Sequence, residues 1–417
     1  MDVTIYPSIL SGVIKAPESK SQAHRLLIAA AMAGGCFVET GNMSDDIKAT
    51  KRCLAALQEA GAAQPAGGVS GLPVLECGES GSTLRFMLPL SVAYGCGAEF
   101  YGEGRLPERP LSPLDEQMAE HGVVIERAQA ETAQVCVAPD SSANEGIRGR
   151  KIMTASGRMR GGDFELPGNV SSQFLTGLLM ALPLAQEDSR ITITSPMESK
   201  AYVQMTLDVL KYFGIVILRE EDTYYIKGNQ RYAAPAPEIK VEGDWSNGAF
   251  WLVANEILKT RGGSVRVEGL DPASAQGDRK IARILEPTRG PVIVDASQVP
   301  DLVPIACVFG ALREGTTVIE NGARLRIKES DRIRTTCEML SSLGADIHEL
   351  EDGILVHGKK ELDGGEVDGA GDHRIVMAAA VAALGCKAPV TVHGAEAAAK
   401  SYPGFFEDMK KLGGRIE

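Results

Sequence analysis

Gly371-Asp372-His373-Arg374-Ile375-Val376-Met377-Ala378-Ala379-Ala380-Val381-Ala382-Ala383-Leu384 joins a charged turn to a run that is apolar on every side. A surface helix carries a polar stripe at a period of 3.6 residues, so a helix lacking one belongs inside its domain. The same phrase occurs elsewhere. A polar turn opens a similar run at Glu18-Ser19-Lys20-Ser21 before Leu26 to Ala33, at Glu79-Ser80-Gly81-Ser82 before Leu84 to Ala93, and at Asn169-Val170-Ser171-Ser172 before Phe174 to Leu184. It returns at Asp244-Trp245-Ser246-Asn247 before Ala249 to Ile257 and at Val299-Pro300-Asp301 before Val303 to Leu312. Six such openings point to one folding unit repeated along the chain.

Each opening is followed by a strand candidate rich in β-branched residues, such as Phe37-Val38-Glu39, Ile191-Thr192-Ile193, Val265-Arg266-Val267 or Val390-Thr391-Val392. Second, amphipathic helices are expected to begin near Asp45, Pro113, Ser199, Gly277, Ser330 and Ser401. Glycine closes several of them, as in Leu343-Gly344 and Phe213-Gly214. The fold class is therefore α/β with helices inside the sheets, three units to a domain. The break near Ala233-Ala234-Pro235-Ala236-Pro237 divides the chain into residues 1–18 with 238–417, and 19–237. By pattern alone the stretch Val3 to Ile14 could pair with either part, and its grouping with 238–417 is the one expected.

Composition narrows the function. With 417 residues, 44% hydrophobic and 24% charged, the chain suits two soluble globular domains. No apolar run reaches 18 residues and the N-terminus lacks signal-peptide features, so a cytoplasmic protein is expected. A net charge of −12 argues against nucleic acid or an anionic membrane as partner. Cys36, Cys53, Cys77, Cys96, Cys136, Cys307, Cys337 and Cys386 form no CxxC pair and read as buried thiols. The six histidines form no close pair, and no Gly-rich nucleotide loop, HExxH or GxSxG motif is present. Neither metal nor organic cofactor is expected.

The turns carry the chemistry. Helix N-termini present free N–H groups and the positive end of the dipole, so each suits an anion. Lys20, Ser21 and Arg25 stand at the first opening, Arg85 and then Arg109 follow the second, and Ser171, Ser172 and Gln173 form an uncharged cluster at the third. Arg324-Leu325-Arg326-Ile327-Lys328-Glu329-Ser330-Asp331-Arg332 is the densest cluster, and Asp372-His373-Arg374 opens the last unit. Arginine forks and lysine point charges together suit small ligands bearing phosphate and carboxylate. Asp301 and Glu329, set among these cations, are either ion-pair partners or acid–base groups.

These motifs resemble the enolpyruvyl transferases, and within them the shikimate-pathway branch, over nearly the whole chain. The resemblance implies a two-domain inside-out α/β barrel of βαβαββ units, with the active site in a closing interdomain cleft and a monomer acting without cofactor. It implies transfer of the enolpyruvyl group of phosphoenolpyruvate to the 5-hydroxyl of shikimate 3-phosphate, releasing phosphate. Pro17 to Arg25 is similar to the family's N-terminal motif, which assigns Lys20 to both substrates and Ser21 and Arg25 to shikimate 3-phosphate. Ser171, Ser172, Gln173, Ser199, Arg324 and Lys328 follow to the same substrate, and Gln173 to both. Gly81, Arg109, Arg332, Arg374 and Lys400 go to phosphoenolpyruvate. Asp301 becomes the proton acceptor and shikimate contact, with Glu329 and Lys20 delivering a proton to the methylene carbon.

Three positions depart from the common pattern: Glu79 and Arg324 replace asparagine, and Phe86 replaces proline. Inhibition by glyphosate, in competition with phosphoenolpyruvate, is a further implication. A sister group acting on UDP-N-acetylglucosamine usually has a reactive cysteine where Gly104 stands here, and a non-catalytic anion-binding protein of this fold is the other alternative.

Overall fold

The computed structural model describes residues 1–41, 43–63, 71–128, 149–288 and 290–417. Its helices are α1 (Lys20–Ala33), α2 (Asp45–Ala63), α3 (Gly81–Ala93), α4 (Leu114–Glu120), α5 (Ser172–Ala181) and α6 (Lys200–Tyr212), followed by α7 (Trp245–Lys259), α8 (Ile281–Ile284), α9 (Val303–Ala311), α10 (Arg332–Ser342), α11 (His373–Ala382) and α12 (Phe405–Lys411). The odd-numbered helices are those that the six turns open. Every residue of α11 is buried, as is every residue of α9 but Phe309 and of α3 but Ser82 and Ala93. By contrast, α6 buries one stripe through Val203, Thr206, Val209 and Leu210, as an outer helix should.

The repeat is plainest in three four-stranded sheets. In space the first runs Val74–Glu76, Ala98–Gly102, Arg150–Gly157, Val123–Arg127. The first pair is parallel and the rest antiparallel. A parallel pair needs a crossover, which α3 supplies, whereas the antiparallel pair needs none. The same order recurs in Gly162–Leu166, Ser189–Ile193, Thr223–Ile226, Ile217–Glu220 and in Val292–Asp295, Thr316–Glu320, Ile354–His357, Asp346–Glu349. The last unit completes itself with the chain's beginning: Asp2–Ile5 lies antiparallel to Val390–His393, itself parallel to Gly365–Asp368. Ser11–Lys15 pairs with Ser264–Glu268, and Phe37–Glu39 with Glu238–Lys240.

Two compact units result. Unit 1 comprises Met1–Lys20, Gly41–Ser44 and Glu242–Glu417, and unit 2 Ser21–Thr40 and Asp45–Val241. The chain thus passes from one to the other at 20/21 and 241/242 rather than at 18/19 and 237/238. The detour of Gly41–Ser44 has no counterpart in the sequence reading. Among the described residues each unit holds three sheets and its own apolar core; α3, α5, α7, α9 and α11 are inner helices, whereas α1 buries only seven of its fourteen residues and is not enclosed as its apolar run led one to expect.

Within unit 2, α3 and α5 approach closely. Pro89 has no N–H to give the Arg85 carbonyl one turn back, and Gly177 of α5 fills that place. A Cβ at Gly177 would stand 2.4 Å from the Arg85 oxygen. Glycine also closes α6 and α10, where Gly214 and Gly344 take φ of 79° and 83°.

Two expectations need correction. The second helix of the fourth unit, near Gly277, is a single 3-10 turn, Gly277–Lys280, leading into the four-residue α8. Cys36 is only half-buried, while the other described cysteines are buried; Cys136 lies outside the described residues. Among the described residues no helix is long and apolar enough to cross a membrane.

Candidate active-site groups in the two units

In unit 1 three carboxylates converge on one buried guanidinium. Arg332, at the start of α10, donates from Nε to Asp372 at 2.8 Å, from Nη1 to Asp301 at 2.7 Å and from Nη2 to Glu329 at 2.7 Å. Nη2 also reaches the other oxygen of Asp372 at 3.4 Å, so the planar fork grips Asp372 with two nitrogens while holding Asp301 and Glu329 with one each. Asp372 is fully buried, also accepts from Ser330 Oγ at 3.0 Å, and caps α11 through the Arg374 N–H. Arg374 reaches the second oxygen of Asp301 at 3.3 Å and lies over the Phe250 ring. Its Nε and Nη1 are buried and make no hydrogen bond among the described residues. Donors left unmet inside a protein are costly, and an anion is what they would accept.

Electrostatics follows from this packing. Burial alone would raise the Asp301 carboxyl, but Arg374, Arg332 and Lys328 together hold it far below the usual carboxylate range. Burial above all, with Arg324 and Arg332, lowers the Lys328 ammonium against the pull of Asp301 and Glu329, leaving it at about 8. His373, buried beside Lys20, Arg374 and Arg332, is driven well below its ordinary value and is neutral at pH 7. Lys20 is placed by a residue far along the chain: Asp244 Oδ2 accepts its backbone N–H at 3.0 Å while Oδ1 caps α7 at Asn247. One carboxylate therefore caps two helices. Lys400 Nζ donates to the Gly371 carbonyl at 2.6 Å, joining the turn that carries Asp372 and Arg374. Arg324 sits in the 3-10 turn Ala323–Ile327.

Unit 2 presents a different set, rich in hydroxyls. Arg25 is buried and spreads its donors over Thr206 Oγ1 at 2.8 Å, Thr176 Oγ1 at 3.4 Å and the carbonyls of Tyr202 and Ser21 at 3.1 and 2.5 Å. Burial lowers its guanidinium to about 10, still charged at neutral pH. Ser171 caps α5 through the Gln173 N–H, with Ser172 buried beside it. Ser199 opens α6 in the left-handed region, at φ 53°, and is buried. For a non-glycine residue this is strained backbone, of a kind that concentrates at ligand sites. Gln173 accepts from Arg85 at 3.1 Å and donates to Ser82 at 2.9 Å. Arg85 also holds the Pro110 carbonyl at 3.1 Å. Gly81 lies hard against this group: a Cβ there would be 2.5 Å from Arg85 Nη1 and 2.8 Å from Arg109 Nη1. Glu79 turns to Gly104, where a Cβ would stand 2.4 Å from its carboxylate.

The family model for EPSP synthase (3-phosphoshikimate 1-carboxyvinyltransferase) matches residues 6–294 and 288–409. A protein of Clostridium acetobutylicum named 3-phosphoshikimate 1-carboxyvinyltransferase is 40% identical, over 99% of this chain and 98% of its own length. The chain belongs to the EPSP synthase family. A second family member of the same name, from Clostridium kluyveri, is 39% identical over the whole of this chain and 98% of its own. The fold agrees with that of the EPSP synthase of Acinetobacter baumannii, with a TM-score of 0.75 at 24% identity, covering all of this chain and 99% of that one.

For this EPSP synthase family member, the residues expected from sequence fall into two groups. Lys20, Asp301, Arg324, Lys328, Glu329, Arg332, Arg374 and Lys400 belong to unit 1; Ser21, Arg25, Gly81, Arg109, Ser171, Ser172, Gln173 and Ser199 belong to unit 2. Sequence reasoning left out Asp372, Asp244, Thr176, Thr206 and the bracing role of Arg85. Asp372 and Asp244 announced themselves only as helix caps, and nothing local marks the two threonines.

Proposed function

We propose that the chain is a transferase that moves the enolpyruvyl group of phosphoenolpyruvate to the 5-hydroxyl of shikimate 3-phosphate, with release of phosphate. One observation carries the chemical part of this reading: Arg374 presents buried, unmet donors beside a carboxylate, Asp301, that it shares with Arg332. Shikimate 3-phosphate draws on Lys20, Ser21, Arg25, Ser171, Ser172, Gln173, Ser199, Asp301, Arg324 and Lys328. Phosphoenolpyruvate draws on Lys20, Gly81, Arg109, Gln173, Arg332, Arg374 and Lys400.

Protonation of the methylene carbon develops positive charge at C2 while the 5-hydroxyl attacks and loses its proton. Glu329 and Lys20 deliver the first proton and Asp301 accepts the second. The ion pairs bear on this directly. A carboxylate held by two arginines is a weak base, so Asp301 gains basicity only when other anions engage Arg332 and Arg374. The carboxylate and phosphate of phosphoenolpyruvate are such anions. Substrate binding thereby activates the base, and Asp372 keeps Arg332 in place throughout. The test is phosphate release with shikimate 3-phosphate and phosphoenolpyruvate, run beside UDP-N-acetylglucosamine as alternative acceptor. Release with the first acceptor alone is expected, and release only with the second would overturn the reading.

A further inference from the structure

Four buried side chains of unit 2 form a continuous polar line from α1 to the first turn of α3. His24 Nδ1 lies 2.8 Å from Thr50 Oγ1, which lies 2.7 Å from Thr83 Oγ1. Thr83 Oγ1 lies 2.8 Å from Ser80 Oγ, the N-cap of α3, which also accepts the Thr83 N–H at 3.2 Å. All four are at most 1% exposed. We infer that the chain His24–Thr50–Thr83–Ser80 is a positioning relay, which sets the Ser80–Gly81 turn for phosphoenolpyruvate.

Each hydroxyl has one hydrogen, so when Thr83 gives its hydrogen to Ser80 rather than to the Asp46 carbonyl the links run in one direction. If Thr83 donates to Ser80, Thr50 must donate to Thr83 and His24 Nδ1 to Thr50; the other tautomer of His24 reverses the line. Every member therefore depends on the next, and loss of the Thr50 hydroxyl breaks two links at once. The outer helix α2 also braces this corner elsewhere. On the face that carries Thr50, the Asp46 carbonyl lies 3.4 Å from Thr83 Oγ1, and Cys53 Sγ donates to the Glu76 carbonyl just ahead of the turn.

The consequence falls mainly on one substrate, since among the groups held by this turn only Gln173, bonded to Ser82 and Arg85, is also assigned to shikimate 3-phosphate. Gly81 follows Ser80 and is packed against Arg85 and Arg109, so a small drift of the turn shifts both guanidiniums. Arg25 neighbours His24 in sequence but donates its hydrogen bonds to Thr206, Thr176, Tyr202 and Ser21, none of them in the relay. Breaking the line should therefore reach shikimate 3-phosphate only through Gln173, one of its ten proposed contacts, and leave its binding nearly as it was.

This inference rests on the assignment of Gly81 and Arg109 to phosphoenolpyruvate, and the KM for phosphoenolpyruvate of Arg109→Lys tests that assignment separately. Thr50→Val keeps the shape and removes the hydroxyl. Its KM for phosphoenolpyruvate should rise about tenfold while that for shikimate 3-phosphate stays unchanged, and Thr50→Ser should restore the wild-type value. Thr83→Val cuts the next link, so adding it to Thr50→Val should raise KM no further; it also replaces Thr50→Val if that variant does not fold. A lower melting temperature with both KM values unchanged, or an equal rise in both, would overturn the relay and leave a network that only stabilises the core.

Discussion

Arg332 stands where three acids converge, an arrangement that elsewhere would invite a divalent cation. Here the guanidinium takes that place, with two nitrogens on Asp372 and one each on Asp301 and Glu329. Asp301→Asn should lower kcat by about two to four orders of magnitude with little change in shikimate 3-phosphate binding, because shape is kept and a base is lost. Unchanged turnover would remove Asp301 from proton transfer. Lys328 gives a pH signature of definite sign. Its folded value of about 8 lies below the 10.5 of a free lysine, so the folded protein sheds this proton first as pH rises. The cost of burying the charge is present in full below pH 8 and is relieved between 8 and 10.5, so this contribution to stability rises with pH. Binding runs the other way: kcat/KM for shikimate 3-phosphate should fall above pH 8, and Lys328→Gln should lack that limb. A wild-type profile flat from pH 7 to 9 would exclude Lys328 from phosphate binding. The sequence placed Asp301, Glu329, Arg332 and Arg374 each in or beside a helix-opening turn, and the family resemblance implied that they share a site. Glu329 lies only three residues before Arg332, but which arginines Asp301 and Asp372 hold was not legible, because those pairs join residues 31 to 73 positions apart.

At the scale of elements, the inner helices were legible because burial on all sides removes the polar stripe that a surface helix must show. The opening of α11 is the plainest case, with Asp372 as its cap and every helical residue buried. Less legible was what fixes a helix from a distance. The first N–H of α1 is capped by Asp244, 224 residues away, and no local pattern could announce it. Helix contacts also separate two glycines that look alike in sequence. Gly177→Ala drives a Cβ to 2.4 Å from the Arg85 carbonyl, which is backbone and can yield only if α3 and α5 move apart. It should cost about 1–3 kcal/mol in denaturant unfolding. Gly81→Ala meets the far ends of two arginine side chains instead, which can move. It should leave stability within about 0.5 kcal/mol of wild type while raising KM for phosphoenolpyruvate and weakening inhibition by glyphosate. Equal stabilities of the two variants would refute this distinction.

Across the whole molecule, the same βαβαββ unit has been used to build two cores that share no residue. One gathers around α7, α9 and α11, the other around α3 and α5 with part of α1. Ile305 and Leu178 are completely buried, the first in unit 1 and the second in unit 2. Truncating either to alanine should cost about 2–5 kcal/mol, the transfer of a large side chain plus the cavity left behind. Because neither cavity touches the other core, the double variant should lose the sum of the two within about 0.5 kcal/mol. Guanidinium unfolding followed by circular dichroism would read this, together with which transition moves when the units unfold separately. Shikimate 3-phosphate adds a functional arm. Its proposed contacts come from both units, Lys20, Asp301 and Lys328 from one and Arg25, Ser171 and Ser172 from the other, so saturating ligand should protect both single variants alike. A ligand at 100 times its Kd contributes about 2.7 kcal/mol to whatever must unfold to release it. Protection confined to the unit 1 variant would strike Arg25, Ser171 and Ser172 from the binding set, and protection confined to the unit 2 variant would strike Asp301 and Lys328.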